Sequence, residues 1–329
     1  MRATGDGAAA GVANGMVPGI TRHGSLRLTY RRERTLREVM ETMRDDNGAP
    51  PSLDVTEITH AAVRPGSLWR EVRVVTETGS SNADLLAVAR GGAREGVVLV
   101  AEAQTAGRGR MGRRWISPPR AGLTFSVLLR PYGVPATLLG WVPLLTGAAV
   151  AAALPAVAPV TPRLKWPNDV LVGSAKLGGI LAERSGSAIV VGIGINVTQH
   201  KAELPEGGTS LRLETAAAQA EGALPDTAAG NGVTSADLRA RVLVAVLAAM
   251  SERYLAWRDQ FNPGDAEASG LRQEYLGRCA TVGREVTVTL PGGKAVSGPA
   301  VGVDWAGRLE VATARGVVPV SAGDVVHLR

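Results

Sequence analysis

The sequence predicts an α+β fold: a mixed sheet with helices on one side, followed by a small unit of short antiparallel strands. Three observations predict it. Apolar runs of strand length, such as Val97–Ala101 (VVLVA) and Gly122–Leu129 (GLTFSVLL), alternate with helical patterns up to about residue 200, but hairpin spacing in the second half argues for mixed pairing. Behind that region come short alternating runs joined by Pro291-Gly292-Gly293 and Asp304-Trp305-Ala306-Gly307, which supply the φ > 0 residues of tight hairpins. A length of 329 residues, 45% of them hydrophobic, is enough for two domains with an ample core.

The elements follow in order. Residues 1–25, rich in Gly and Ala, are predicted disordered. Leu36, Val39, Met40 and Met43 fall at i, i+3, i+4 and i+7, so Arg32–Asp45 reads as an amphipathic helix. Ala49–Pro51 breaks it, and Ser52–Val63 reads as a second short helix. Strand Glu71–Glu77, helix Asn82–Arg90, strand Val97–Ala101 and strand Gly122–Leu129 follow. The stretch from Pro131 to Pro162 carries no charge and is long enough to span a bilayer. Pro143, Pro155, Pro159, Gly140 and Gly147 interrupt it, so a buried helix near Leu139–Leu154 is expected and no membrane span. Strands are expected at Arg163–Lys165, Asp169–Val172, Leu177–Arg184 and Ile189–Asn196, then a surface excursion over Leu204–Ser235 and a long helix over Asp237–Arg258. Four strands close the chain: Glu285–Leu290, Ala295–Val303, Leu309–Ala314 and Gly316–Val320. The expected division is an extension over residues 1–65, a ligand-binding domain over 66–272 and a small β-domain over 273–329.

Composition excludes several classes. A single cysteine, Cys279, rules out internal disulfides and thiolate clusters and suits a reducing cytoplasm, the expected location. His23, His60, His200 and His327 are scattered without metal-ligand spacing, and the N-terminus lacks a secretory pattern. The net charge of +6 is concentrated in two places. Arg22–Arg37 carries six arginines against Glu33 and reads as a solvated basic tail; Arg108–Arg120 carries five against no acid. Because the second cluster has a small-ligand explanation, a nucleic-acid partner is not expected.

That explanation lies in Gln104–Trp115, QTAGRGRMGRRW. Arginine forks and exposed backbone N–H groups on a glycine-rich chain both match phosphate oxygens. Gly107, Gly109 and Gly112 satisfy G-x-G-x-x-G, but a dinucleotide fingerprint needs a helix directly behind it, and Pro118–Pro119 forbid one. No Gly-Lys-Ser/Thr follows, which excludes a Walker loop.

Three further segments follow in order: Lys165–Val170 (KWPNDV), Lys176–Glu183 (KLGGILAE) and Val190–Val197 (VVGIGINV). With the arginine loop, they resemble the biotin protein ligase family, whose motifs are GRGRxGRxW, KWPND, K(L/A)GGIL and GxGIN. The resemblance runs from about Leu68 to Leu213 and continues more weakly behind it. It implies a catalytic domain like that of class II aminoacyl-tRNA synthetases, followed by an SH3-like barrel that covers the ligand site or helps dock the protein substrate. The single-function type is expected: a winged helix-turn-helix needs a β-ribbon wing, and no alternating strand pair precedes Trp69.

The implied reaction has two steps. ATP and biotin give biotinyl-5′-AMP and pyrophosphate; a lysine amine on a biotin carboxyl carrier domain of an acyl-CoA carboxylase then attacks the mixed anhydride. On this resemblance Arg108 and Arg110 serve the carboxylate and α-phosphate, Arg113 the outgoing pyrophosphate, and Gly107 and Gly109 let backbone N–H groups approach. Only four lysines occur in the chain, and Lys165 and Lys176 both lie in these motifs. Lys176 is the first choice for catalysis, as a compact ammonium able to follow charge between carboxyl and phosphate. Lys165 either serves the site or pairs with an acid. Ser80, Ser81 and Asn82 (GSSN) match the family's S-T-N segment and, with Gln104 and Gly179, are assigned to biotin; helix N-capping is the other reading of the first three. Trp115 stacks on adenine or sits in the core, Asn168 orients phosphate, and Asn196 meets the nucleotide or forms a turn. Asp169 carries Mg²⁺ or caps a turn. Met111 departs from the family by removing a polar or basic side chain. A lipoate- or octanoate-type ligase, or a bifunctional ligase and DNA-binding repressor, are the alternatives, and the protein is expected to be a monomer or homodimer.

Overall fold

The computed structural model describes residues 51–222, 235–260 and 262–328; the helix expected over Arg32–Asp45 and the Arg22–Arg37 cluster lie outside them. Helix α1 (Val55–Ala62) starts where Asp54 accepts the backbone N–H groups of Thr56 and Glu57 at 2.8 and 3.1 Å. This cap satisfies two of the amides that a helix start leaves open.

Seven strands form the main sheet: β1 (Glu71–Val75), β2 (Val97–Ala101), β3 (Gly122–Leu129), β4 (Pro162–Lys165), β5 (Asp169–Val172), β6 (Ala175–Ser185) and β7 (Ala188–Asn196). Their spatial order is β1-β2-β3-β7-β6-β5-β4. Only β1 and β2 pair in parallel, across the helix α2 (Ser81–Arg90) that connects them; every other pair is antiparallel. The sheet is therefore mixed, as the hairpin spacing requires.

Both faces are covered, which departs from the expectation of helices on one side. Val98 and Val100 of β2 join Leu123, Phe125 and Val127 of β3 in the main core, under helix α3 (Trp141–Ala153). Val97 and Leu99 point the other way, with Leu128 and Val190, against Leu85, Leu86 and Ala89 of α2. The uninterrupted apolar run of β2 is what a strand buried on two faces looks like. The α2 face is only partly closed, and the site lies on its open half.

The uncharged stretch behaves as read. Helix α3 is 13 residues long and nearly all buried, and no helix among the described residues is long and apolar enough to cross a membrane. Helix α5 (Ser235–Arg258) packs across α3. The segment expected as a surface excursion contains helix α4 (Leu211–Ala220), capped by Ser210. Helix α6 (Leu271–Arg278, LRQEYLGR) was not expected: eight residues with half of them charged or amide-bearing carry no clear apolar period.

The C-terminal sheet has five antiparallel strands, β8 (Glu285–Thr289), β9 (Ala295–Val303), β10 (Leu309–Thr313), β11 (Gly316–Val320) and β12 (Asp324–His327), in the order β11-β10-β9-β8-β12. The four-residue β12 (DVVH) gave too short a pattern to be read in advance. Tryptophans join the two sheets: Trp141 donates to the Trp305 carbonyl at 2.8 Å and Trp166 to the Gly307 carbonyl at 3.1 Å. Apolar residues of both sheets form one continuous core.

A buried ion pair anchors the end of β2. Glu102 meets the Arg239 guanidinium, and their side chains are 4% and 1% exposed. The same carboxylate accepts the Leu53 N–H at 2.7 Å, while Arg239 donates to the Pro51 carbonyl at 2.6 Å. Burial pushes the Arg239 pKa down, and the attraction of Glu102 opposes that shift. Deleting one partner strands a charge out of water, so Glu102→Ala is expected to cost about 3–5 kcal/mol. Urea unfolding checks this; a loss below about 1 kcal/mol would show that the pair is dispensable.

Candidate active site

The site is built on strand alternation. Thr124 and Ser126 of β3, Gly192 and Gly194 of β7, and Gly179 and Leu181 of β6 are cross-strand neighbours on the α2 face. The glycines there have a packing cause. A Cβ on Gly192 would collide with the Asn82 amide oxygen, and one on Gly194 would collide with the Trp115 indole. The bare backbone of β7 is the floor on which these two side chains lie.

Around that floor the start of α2 forms a polar slot. The Ser80 hydroxyl accepts the Ala83 N–H at a long 3.5 Å, so Ser80 caps the helix and also lines the slot. Gln104 Oε1 accepts from the Ser81 N–H at 2.8 Å and from the Ser81 hydroxyl at 3.0 Å, which fixes its amide orientation. Asn82 Nδ2 donates to Glu183 Oε2 at 2.8 Å and to the Leu181 carbonyl at 3.1 Å, while its Oδ1 accepts the Ser126 hydroxyl at 2.6 Å. Donors and acceptors of known orientation thus face one small space.

The arginine loop crosses above it. Trp115 N–H bonds to the Gly107 carbonyl at 3.0 Å and Gly109 N–H to the Arg113 carbonyl at 2.7 Å, closing the loop into a tight hairpin. Its tip places Met111 at φ 55° and Gly112 at φ 75°. The left-handed conformation costs a non-glycine residue roughly 1–2 kcal/mol. Arg108 reaches Glu183 at 3.3 Å, Arg113 reaches Asp324 of the C-terminal sheet at 3.0 Å, and Arg114 donates to the Thr105 carbonyl at 3.0 Å. Arg110 donates to the neutral Asn168 amide at 3.0 Å, and no carboxylate among the described residues lies at ion-pair distance from it. Burial, then the neighbouring Arg113, push its pKa below the ordinary arginine value, against the attraction of Asp169 and Asp324.

Lys176 arrives through a β-bulge. Val170 pairs with Gly178 but Leu171 with Lys176, so Leu177 is the extra residue. Regular alternation from Gly179 would turn Lys176 into the main core; the bulge returns it to the site face. There its Nζ meets Asp169 Oδ1 at 2.6 Å. The three-residue turn Trp166-Pro167-Asn168, with a cis Trp166–Pro167 bond, joins β4 to β5 and sets Asn168 under Arg110. A Cβ on Gly179 would lie 3.5 Å from both Lys176 Nζ and the Trp115 ring, so these converge over one glycine.

Residues 78–199 match the model of the biotin/lipoate A/B protein ligase family, and residues 281–328 match the biotin protein ligase C-terminal domain. The chain is 43% identical over 291 residues to a biotin–[acetyl-CoA-carboxylase] ligase of Mycobacterium tuberculosis, covering 87% of this chain and 100% of that protein. The chain belongs to the biotin protein ligase family. A bifunctional ligase/repressor of Bacillus subtilis is 31% identical over 244 residues, 72% of this chain and 68% of that one. A biotin protein ligase of Aquifex aeolicus, solved with biotin and ATP, superposes with a TM-score of 0.59 at 29% identity over 79% of this chain and 100% of that one.

Of the residues read from sequence, Ser80, Ser81, Asn82, Gln104, Arg108, Gly109, Arg110, Arg113, Trp115, Asn168, Lys176 and Gly179 line one cleft. Gly107 lies behind it, where a Cβ would strike the Trp115 carbonyl. Asn196 also lies outside the lining: its amide, 6% exposed, donates to the Thr209 carbonyl at 2.9 Å. Asp169 stands beside the cleft, bound to Lys176. Thr124, Ser126 and Glu183 were missed. The alternate polar residues in GLTFSVLL signalled the first two; nothing local signalled that Glu183 reaches both Asn82 and Arg108.

Gly194→Ala is expected to displace the indole, weaken biotin binding on the order of tenfold or more, and cost about 1–3 kcal/mol of stability. Calorimetric titration with biotin checks it, and wild-type affinity would show that the indole position is irrelevant to the slot.

Proposed function

We propose that the protein ligates biotin to a lysine of a carrier domain at the expense of ATP, through biotinyl-5′-AMP. One observation carries this reading: an oriented donor–acceptor slot of Ser81, Asn82 and Gln104 shares one cleft with Lys176 and the part-buried Arg110. A cyclic urea needs both donor and acceptor partners; a carboxylate meeting a triphosphate needs cations.

The ring of biotin occupies the slot, with Ser80, Ser81, Asn82 and Gln104 as its polar partners and Gly107, Gly109 and Gly179 leaving room for it. Trp115 shares the slot's lining and rests on Gly194, which favours packing against biotin over stacking on adenine. The valerate tail runs over Gly179 towards Lys176. There the carboxylate oxygen attacks the α-phosphorus, and pyrophosphate leaves with the electron pair of the broken bond. Lys176 and Arg110 neutralise the charge that gathers on the α-phosphate, with Arg108 and Arg113 closing from the loop. Release of Lys176 from Asp169 is the first event that an anion would cause. Asn168 positions Arg110. Asn196 acts indirectly, by holding the Lys176 and Thr209 segments together.

Among the described residues, no group of three or more His, Cys, Asp or Glu side chains could cage a metal. A single carboxylate fits Mg²⁺ of the kind that arrives on nucleotide phosphates. Asp169 is that carboxylate, and the metal it would hold supplies further charge neutralisation. The acceptor is a biotin carboxyl carrier domain of an acyl-CoA carboxylase.

Exchange of pyrophosphate into ATP that depends on added biotin tests the reading; exchange driven by lipoate in place of biotin would favour the lipoyl-type alternative. Lys176→Ala is expected to lower turnover on the order of a hundredfold or more, while biotin binding is weakened but measurable. Steady-state rates with calorimetry check this, and an unimpaired rate would remove Lys176 from the chemistry. Arg110→Gly is expected to release free biotinyl-AMP about tenfold faster or more, because the loop loses its tether to Asn168. Labelling of bystander lysines reports that release, and an unchanged background would contradict the retaining role.

A further inference from the structure

Glu183 stands where the polar slot meets the arginine loop. It lies two residues beyond Leu181 on β6, so strand alternation turns it to the same face as Gly179 and Leu181. Its two carboxylate oxygens have different partners. Oε2 accepts from Asn82 Nδ2 at 2.8 Å, and Oε1 accepts from Arg108 Nη1 at 3.3 Å. Asn82 is buried, whereas the Arg108 guanidinium is half-exposed.

The first contact fixes the slot. An ionised carboxylate can only accept hydrogen bonds, as can the Leu181 carbonyl, which takes the other Asn82 N–H at 3.1 Å. Both amide hydrogens are thereby engaged, and the nitrogen cannot exchange places with the oxygen. Asn82 Oδ1 lies over Gly192 on the floor of the cleft. There it accepts the Ser126 hydroxyl at 2.6 Å, and an amide oxygen has capacity for a second donor. Asn82 thus faces the slot as an acceptor, which is what a ureido N–H requires.

The second contact concerns the loop. Arg108 lines the biotin cleft and also the larger cleft on the Glu183 side. An exposed ion pair of this kind is weak, so a ligand anion can displace it. We propose that Glu183 is a positioning residue with two opposed effects: one oxygen sets Asn82 as the acceptor for the biotin ring, and the other holds Arg108 until the biotin carboxylate takes over its guanidinium. The inference rests on the function proposed above. Glu183 then supports binding of the ring and competes with the carboxylate.

The test uses the full chain with Glu183→Gln and Glu183→Ala, each also combined with Arg108→Ala. Calorimetry gives Kd for biotin and for biotin methyl ester, which has the same ring and no negative charge. Glutamine keeps an oxygen for Asn82 but offers Arg108 no charge. Glu183→Gln is expected to hold the ester affinity within about twofold and to raise the preference for biotin over ester about threefold. Glu183→Ala leaves an Asn82 N–H unanswered, so ester binding is expected to weaken about tenfold, with the same rise in preference. Without Arg108, neither substitution is expected to move the preference. A rise that persists in the Arg108→Ala background, or no rise in the parent background, would overturn the proposal. Ester affinity equal to the parent's in Glu183→Ala would overturn it too. A Glu183 that only supported the fold would weaken both ligands equally, leaving their ratio unmoved. A parent protein that binds neither ligand would refute the reading of function itself, whereas normal parent binding with an unmoved preference defeats only the role of Glu183.

Discussion

The arrangement depends on bare backbone in the middle of the main sheet. Strand β7 carries glycine at positions 192 and 194 on the face where its neighbours would otherwise place side chains. That omission lets Asn82 descend from the start of α2 and lets Trp115 descend from the arginine loop onto the same floor. In sequence the two glycines are part of the Val190–Val197 motif. In the structure their space is taken by the protein's own residues, which then present the polar slot. Glycine weakens a strand interior, and the neighbouring long pairings β3–β7 and β6–β7 offset that weakness.

A second constraint is the bulge at Leu177. One additional residue moves Lys176 from the core face to the site face and places it against Asp169. The pair is partly exposed, so it stabilises little on its own. Its value is positional: an ammonium held by one carboxylate is ready to exchange that partner for an anionic ligand. The loop arginines stand in the same condition. Each is held by a weak or exposed partner, Arg110 by hydrogen bonding to a neutral amide. Site cations that were satisfied by deeply buried carboxylates, as Arg239 is by Glu102, would have nothing left for phosphate.

The C-terminal sheet is continuous with this site rather than appended to it. Trp141 and Trp166 hydrogen-bond to its Trp305–Gly307 turn, Asp324 pairs with Arg113, and Arg284 and His327 wall a cleft beside Lys176. A shared apolar core lies beneath these contacts, on the side away from solvent.

Sequence by itself determined the strand and helix order from Glu71 to Asn196, the basic loop, and many but not all of the residues gathered at the cleft, because strand and helix periods, turn residues and four ordered motifs are local properties. It also determined the family. Tertiary structure alone decided which face each element covers: the amphipathic α2 and the nearly all-apolar α3 pack on opposite sides of one sheet, and neither pattern names a side. The same holds for Asn196, a ligand candidate by motif and a clamp on Thr209 by geometry. Glu183, Arg284 and Asp324 lie in unremarkable local sequence. Glu183 and Asp324 acquire their partners only when distant strands meet, and a one-residue bulge that reverses the side of a lysine leaves no mark on periodicity.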